Sequence, residues 1–188
     1  MEYKNCIVFI MGFTGVGKYV VAKEIAKHPY FKMVDSTVIE NPVTSLLDME
    51  ALNYRVPDAA WQQVGKVRDA VFTTIRDLSP PHFSFVITYD MVEGDEFPKI
   101  LFDMVQKLAS ERQAFLLPVR LECSEAELVK RISSDARKVL VDRAINMAKN
   151  KKVFYSNHPN EITINSTNLS PTEAAKLILD SLKDGNNG

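Results

Sequence analysis

Residues 6–18, CIVFIMGFTGVGK, decide the fold of this chain. Residues 6–11 form a continuous apolar run of strand length, which predicts a strand buried on both faces of a sheet. The next seven residues match G-x-x-x-x-G-K, and apolar residues at helical spacing follow them. A strand, a glycine loop and a helix in this order predict a loop that wraps phosphate groups with its backbone amides.

The residue types of this loop suit phosphate binding. Glycine adopts positive φ values and lets the backbone approach a ligand closely. Lys18 brings a point charge to the β- and γ-phosphates, and the helix that begins beside it adds its N-terminal dipole. A glycine-rich turn with an incidental lysine is the alternative. The predicted nucleotide-binding residues of the loop are Gly12, Phe13, Thr14, Gly15, Val16, Gly17, Lys18 and Tyr19.

Tyr19 departs from the motif. The residue after the lysine is normally Ser or Thr, whose hydroxyl binds Mg²⁺ directly. A phenol on a long rigid stem does not place its oxygen there, although a water can take that coordination site because Mg²⁺ usually keeps several waters. Two interpretations follow: an enzyme with a more weakly held metal, and a nucleotide-binding module whose catalysis is weak or lost.

Further apolar runs and helical periodicity predict an α/β fold. Strands are expected at about 31–35, 83–88, 114–121 and 162–164, with helices at 59–78 and after positions 95, 124 and 170. Pro118, within the fourth run, predicts an edge position or a bulge. This alternation favours a three-layer α/β/α domain over residues 1–188 with a five-stranded, mostly parallel sheet and a flexible tail at 184–188.

The composition excludes several classes of protein. The chain has 188 residues, of which 46% are hydrophobic and 25% charged, which is typical of one folded domain and not of a disordered chain. Its net charge of −1 excludes a polycation built for DNA. Cys6 and Cys123 lie far apart in apolar runs without metal-binding spacing, which argues against disulfides and structural zinc and favours the reducing cytoplasm. No apolar run of membrane-spanning length is present, so no membrane partner is expected.

These features together resemble the small P-loop kinases, the group that includes shikimate kinase, adenylate kinase, gluconate kinase and chloramphenicol phosphotransferase. The resemblance rests on the glycine loop, Asp35 after the second strand, and the segments 121–131 and 168–173. It implies the P-loop NTPase fold with a small lid at about 131–152 and an acceptor-binding segment at about 36–65. It also implies transfer of a γ-phosphoryl group from ATP, or alternatively GTP, to a small-molecule acceptor with Mg²⁺. The resemblance identifies neither the acceptor nor the oligomeric state.

Four further residues receive roles from this resemblance. Asp35 corresponds to the acid that orients or deprotonates the acceptor hydroxyl, with a turn or helix N-cap as the alternative. Asp90 corresponds to an acid that holds Mg²⁺ through water, with an ordinary turn residue as the alternative. Arg131 corresponds to an adenine-side arginine, and Arg137 to a lid arginine that clamps the transferring phosphoryl group, with a solvated basic face as the alternative for both. The predicted catalytic residues are therefore Lys18, Asp35 and Arg137.

Other positions refine these expectations. Thr37 replaces the second acid of the D-x-D pattern of shikimate kinase, which, like Tyr19, favours the module without catalysis. Trp61 lies on the apolar stripe of its helix and is predicted to be core, while Arg55 either holds an anionic acceptor or faces water. Eight basic residues between positions 130 and 152 raise a nucleic-acid alternative. No basic surface with interleaved aromatic residues accompanies them elsewhere, so nucleic acid ranks last among the partners.

Overall fold

The structure is a computed structural model that describes residues 3–94, 96–132, 142, 145–146 and 149–185. The elements in chain order are β1 (Cys6–Gly12), α1 (Lys18–Ile25), β2 (Phe31–Asp35), α2 (Ser36–Thr44), α3 (Asp58–Asp77), β3 (Ser84–Asp90), α4 (Glu96–Glu111), β4 (Phe115–Glu122), α5 (Glu125–Ile132), β5 (Ile162–Asn165) and α6 (Pro171–Gly185).

Some predicted features lie outside the described residues. These are Arg137, most of the lid at 131–152, and positions 186–188 of the tail, whereas residues 184–185 belong to α6. Within the described ranges, no helix combines the length and the apolar character needed to cross a membrane.

The five strands form one parallel sheet in the order β2-β3-β1-β4-β5. β1 lies at the centre, where Ile7 faces Phe85 of β3 on one side and Leu116 of β4 on the other. Because every strand runs in the same direction, all the carboxyl ends meet at one edge of the sheet, and the loop after β1 lies at that edge.

Helices cover both faces of this sheet, as the uninterrupted apolar run of β1 requires. Cys6, Val8 and Ile10 pack in one core with α1, α5 and α6. The alternate residues Ile7, Phe9 and Met11 pack in a second core with α2, α3 and α4. Side chains of a strand point alternately to opposite faces, so β1 supplies both cores. The predicted three-layer α/β/α architecture is therefore confirmed.

The last helix begins as the sequence predicts. The hydroxyl of Ser170 accepts a hydrogen bond from the backbone N–H of Glu173 at 3.2 Å, and the Glu173 carboxylate accepts one from the backbone N–H of Ser170 at 2.8 Å. This reciprocal capping box satisfies two N–H groups that the start of a helix leaves without partners.

Two details of the fold differ from the expectation. The sequence pattern does not predict α2, which begins without a loop at the end of β2 and contains Pro42. β4 is not an edge strand, since it lies between β1 and β5. Its pairing with β5 begins only at Val119, so at Pro118 the strand has β1 alone as a paired neighbour.

Arg112 joins α4 to the turn between α3 and β3, at the edge of the sheet opposite the glycine loop. Its guanidinium lies 5.2 Å from the centre of the Phe85 ring. It also donates hydrogen bonds to the carbonyl oxygens of Ile75, Ser79, Pro80 and Phe83. A single charged group thus donates to four carbonyls at the end of α3 and in this turn, of which that of Pro80 also accepts a hydrogen bond from the Phe83 N–H at 3.0 Å.

We predict that Arg112→Ala lowers the free energy of unfolding by about 2–3 kcal/mol, because these partly buried carbonyls lose a charged donor. Arg76→Ala is the matched control, since Arg76 makes only exposed ion pairs with Asp77 and Glu111, and it should cost less than about 1 kcal/mol. Urea unfolding of both variants measures the difference. Equal losses would contradict the role given to Arg112.

Candidate functional site

The glycine loop connects β1 to α1 with a backbone that tolerates little substitution. Gly15 has a φ of 89°, a conformation that L side chains rarely adopt. Gly12 lies so close to β4 that a Cβ atom there would come within 2.5 Å of the Leu121 carbonyl oxygen. Gly17 is the N-cap of α1 and offers no side chain to the N–H groups of the first turn. These free N–H groups are what an anion at a helix N-terminus uses.

Lys18 is buried, with 9% of its surface exposed, and oxygen atoms surround its ammonium group. Nζ donates hydrogen bonds to the carbonyl oxygens of Gly12 at 3.1 Å and Phe13 at 2.8 Å, and it forms an ion pair with Asp90. The hydroxyl of Thr14 donates to the same Asp90 carboxylate. One charged cluster therefore links the glycine loop, α1 and the end of β3. Its donor groups suit the phosphates of a nucleotide.

Asp35 serves as the N-cap of α2. Its Oδ1 accepts hydrogen bonds from the backbone N–H of Thr37 at 3.1 Å and from the Thr37 hydroxyl at 2.6 Å, while Oδ2 accepts one from the Thr88 hydroxyl at 2.6 Å. The side chain is buried between these partners. The N-cap alternative is therefore present in the structure, and Thr37, which replaces an expected acid, takes part in it.

Arg131 fastens the glycine loop to the segment after β5. Its guanidinium donates to the carbonyl oxygen of Val16 at 2.9 Å and to the carbonyl oxygen of Ser166 at 2.8 Å, and Nε pairs with Glu127 at 2.9 Å. The residue thus lies beside the loop, as the resemblance implies. Its contact with adenine stays a prediction, as does the binding of Mg²⁺ through Asp90.

A cavity of about 790 Å³ opens between α2, α3 and the end of β3. It is lined by Ser36, Glu40, Asp58, Trp61, Gln62, Val64, Gly65, Arg68, Tyr89, Asp90 and Phe97. Asp90 belongs both to this lining and to the cluster around Lys18, so the cavity adjoins the glycine loop. Its volume is typical of sites for small molecules.

Two side chains of the predicted acceptor segment lie elsewhere than expected. The prediction that Trp61 is core is wrong, because 45% of its surface is exposed and its ring lines the cavity. Its neighbours on the helix, Ala60 and Val64, fill the core instead. Arg55 is exposed and is not part of the cavity lining.

The sequence analysis assigns no role to Arg68 or Tyr89 and places Glu40 only within the acceptor-binding segment at 36–65. These three residues lie on three different elements of the cavity wall. No motif contains them. The one available signal concerns Ser36 and Glu40, which are four residues apart and therefore share a face of α2 if that segment is helical.

Electrostatics distinguish Glu40 from the other acids of the cavity. Burial, with Asp90 and Asp35 nearby, raises its pKa from 4.5 to about 7, while Lys18 acts in the opposite direction. Removal from water disfavours the charged form of a carboxyl group, and neighbouring negative charges add to this effect. Such displaced pKa values are common at functional sites.

Tyr89 and Arg68 lie beside each other and present buried polar atoms to the cavity. The Tyr89 hydroxyl and the Arg68 Nε are buried, and neither makes a hydrogen bond of good distance and angle with a described residue. Burial raises the pKa of Tyr89 and Glu40 raises it further, while the Arg68 guanidinium lowers it through its charge and a hydrogen bond to the hydroxyl. Buried polar atoms without partners are costly, so a bound molecule that supplied partners would gain binding energy here.

The donor set of the site suits a nucleotide better than a bare metal ion. In the part of the chain that the structure describes, no group of three or more His, Cys, Asp or Glu side chains could hold a metal. Mg²⁺ commonly takes one or two carboxylates, several waters and the phosphates of a substrate. Asp90 beside the loop fits that pattern as the protein's contribution.

Comparison with known proteins identifies the fold. No protein-family model and no curated protein matches the sequence. A gluconokinase from Sinorhizobium meliloti 1021 matches with a TM-score of 0.64 and 14% identity over 100% of this chain and 97% of that chain. A thymidylate kinase from Candida albicans matches at 0.61 with 14% identity over 98% and 93%. A sugar kinase from Janibacter sp. HTCC2649 matches at 0.59 with 13% identity over 95% of each chain. This chain has the fold of the small P-loop kinases.

The raised pKa of Glu40 predicts an effect on stability. Glu40 in its protonated form contributes stability to the folded protein, and this contribution is complete below pH 4.5. It is lost as the pH rises through about 7, because the buried carboxyl group then ionises. Glu40→Gln removes the titration and keeps the shape. Between pH 4.5 and about 8, we expect the free energy of unfolding of Glu40→Gln to rise relative to that of the wild type by on the order of 2–3 kcal/mol. Urea unfolding of both proteins across this range measures the shift, and a constant difference would contradict it.

Proposed function

We propose that this chain is an ATP-dependent phosphotransferase that moves the γ-phosphoryl group to a hydroxyl of a small molecule bound in the cavity beside Glu40. The observation that carries this proposal is the position of Asp90, which contacts Lys18 and Thr14 of the glycine loop and also lines the cavity. A phosphoryl group held by the loop would therefore lie next to a space for its acceptor. The kinases among the solved structures of the same fold support this reaction class.

The proposed roles fall into two groups, those that bind the nucleotide and those that position the acceptor. Lys18 and the loop amides would hold the β- and γ-phosphates, and Mg²⁺, held largely through water near Asp90, would neutralise phosphate charge. Asp35 orients the acceptor side because it caps α2, which carries Ser36 and Glu40 into the cavity wall. Arg137, outside the described residues, is proposed to neutralise charge on the transferring group.

The reaction balances with these groups alone. The acceptor oxygen forms a bond to the γ-phosphorus, and the bond from that phosphorus to the bridging oxygen of ATP breaks. ADP leaves with the electron pair, and the proton of the acceptor hydroxyl passes to Asp35, the predicted base, and from there to water. Positioning and charge stabilisation supply most of the catalysis in such transfers.

A nucleotide-binding module with weak or no catalysis is the second candidate. Two observations favour it. Tyr19 stands where a metal-binding hydroxyl is usual, and both oxygens of Asp35 are already hydrogen-bonded within the protein. The binding of ATP with and without Mg²⁺ separates the two candidates, because a catalytic site needs the metal and a structural nucleotide site does not.

Lys18→Ala should abolish phosphotransfer and weaken ATP binding by at least about tenfold, because the phosphates lose their point charge while Asp90 keeps its own. Lys23→Ala is the matched control, since Lys23 is exposed on the same helix. Calorimetric titration of ATP with and without Mg²⁺ measures both variants. Unchanged turnover in Lys18→Ala would overturn the proposed function, and equal affinity of the wild type with and without Mg²⁺ would favour the module.

Restoring the usual hydroxyl at position 19 provides a gain-of-function test. Tyr19 is 53% exposed, so its ring can be removed with little loss of packing. We expect Tyr19→Ser to bind Mg²⁺-ATP about tenfold more tightly than Tyr19→Ala, because the two variants differ only in the oxygen that can bind the metal. The same titrations without Mg²⁺ should not separate them. Equal Mg²⁺-ATP affinities would show that position 19 takes no part in metal binding.

A further inference from the structure

The charges that line the cavity disfavour an anionic acceptor. Among the residues that the structure describes, Glu40, Asp58 and Asp90 line the cavity together with one cation, Arg68, and the positive charge of Lys18 is already paired with Asp90. Proteins usually recognise a phosphate group with several guanidinium or ammonium groups or with a helix N-terminus. α2 and α3 begin at this cavity with Ser36 and Asp58, but Asp35 already caps α2, and Asp58 brings its own negative charge to the start of α3. A phosphorylated acceptor would bring two more negative charges into a space whose described lining has no net positive charge, which costs binding energy.

The polar atoms of the lining call for groups that both donate and accept hydrogen bonds. The Arg68 Nε is a buried donor without a hydrogen bond to a described residue. The buried Tyr89 hydroxyl is a donor and an acceptor, and the neighbouring Arg68 guanidinium can use only its acceptor side, so its donor side remains available to a ligand. The Glu40 carboxylate and the Gln62 amide oxygen on the same lining accept. A hydroxyl group does both, so a compound with several hydroxyls could satisfy this mixed set.

Two half-exposed aromatic side chains add apolar surface to the cavity. Trp61 and Phe97 are 45% and 43% exposed, respectively, and both line the cavity. The Arg68 guanidinium lies 5.4 Å from the centre of the Phe97 ring, which holds both groups on one wall. Large half-exposed rings at the edge of a cavity are typical of a site that covers the apolar face of a ligand ring.

We infer that this cavity binds an uncharged, hydroxyl-rich ring compound, such as a sugar, a cyclic polyol or a nucleoside, and discriminates against the phosphate ester of the same compound. The inference rests on the proposed function only for the reaction that follows binding. Glu40 is a specificity-determining residue in this arrangement. At a pH above about 7, where its carboxyl group is ionised, it accepts a hydrogen bond from a ligand hydroxyl and repels a ligand phosphate. Sites built to pair a hydroxyl discriminate strongly against analogues that leave their polar groups unpaired.

Trp61 makes the inference testable without turnover, because it is the one tryptophan of the chain. Its fluorescence should respond to a compound that enters the cavity. The probes are three matched pairs: glucose and glucose 6-phosphate, myo-inositol and inositol monophosphate, and uridine and uridine monophosphate. For at least one pair, we expect the uncharged member to change the fluorescence with a dissociation constant at least about tenfold below that of its ester.

Variants show whether this response comes from the cavity. Glu40→Gln should weaken binding of the uncharged member by about tenfold and narrow the preference over its ester, while leaving ATP affinity unchanged. Glu111→Gln is the matched control, since Glu111 ends α4 at the opposite edge of the sheet. Trp61→Phe should remove the fluorescence change yet keep binding measurable by calorimetry, because an aromatic ring remains.

The outcomes separate this inference from the proposed function. Esters that bind as tightly as their uncharged partners, or more tightly, would overturn the inference, as would the absence of any response while ATP still binds. An uncharged compound that responds as expected while ATP fails to bind would sustain the inference and overturn the proposed function.

Discussion

A buried lysine ammonium constrains the rest of this molecule. Lys18 is held by two carbonyl oxygens at the end of β1 and by Asp90 at the end of β3. Gly12 and Asp90 are direct partners in the register of these two strands, so sheet pairing itself brings the carboxylate to the ammonium. A buried charge without a partner costs several kcal/mol, and a shift of one strand past the other would impose that cost. The placement of the charge and the register of the sheet therefore depend on each other.

The same edge of the sheet also positions the wall of the cavity. Asp35 and Thr88 are register partners of β2 and β3, and their side chains are hydrogen-bonded. Asp35 also caps α2, so the helix starts at a fixed point and in a fixed direction. Glu40, one turn along from Ser36, reaches the cavity because of that start. The distance between the glycine loop and the cavity wall is thus set by the end of β2, the Asp35 cap and the first turn of α2.

The sequence predicts the parts of this structure that depend on neighbours along the chain. The apolar run at 6–11 and the spacing of Gly12 to Lys18 are local patterns, and they predict the central strand and its loop. α2 escapes prediction because Asn41 and Pro42 are poor residues for a helix interior, while its cap comes from the preceding strand. Periodicity also places Trp61 on the apolar stripe of α3, but it does not show that the cavity leaves this position uncovered.

The cavity itself depends on contacts between distant segments. Glu40, Arg68 and Tyr89 belong to α2, α3 and β3, and only the folded sheet brings them together. Neither the displaced pKa of Glu40 nor the burial of the Tyr89 hydroxyl beside Arg68 exists in any short segment of the sequence. The glycine loop could therefore be predicted from its residues alone, whereas the cavity required the tertiary structure.

The central position of β1 has a consequence for how the chain is made. Every residue of β1 is buried, and its partners lie at 85–90 in β3 and 115–120 in β4. Ribosomes add about 5–20 residues per second, so this strand waits roughly 5–20 seconds for its second neighbour to be synthesised. During that interval an uncharged apolar segment has at least one edge open to other chains: both edges until β3 is made, and the β4 side until the end. β1, the central strand of the folded sheet, is therefore the segment that a newly made chain must protect from aggregation for the longest time.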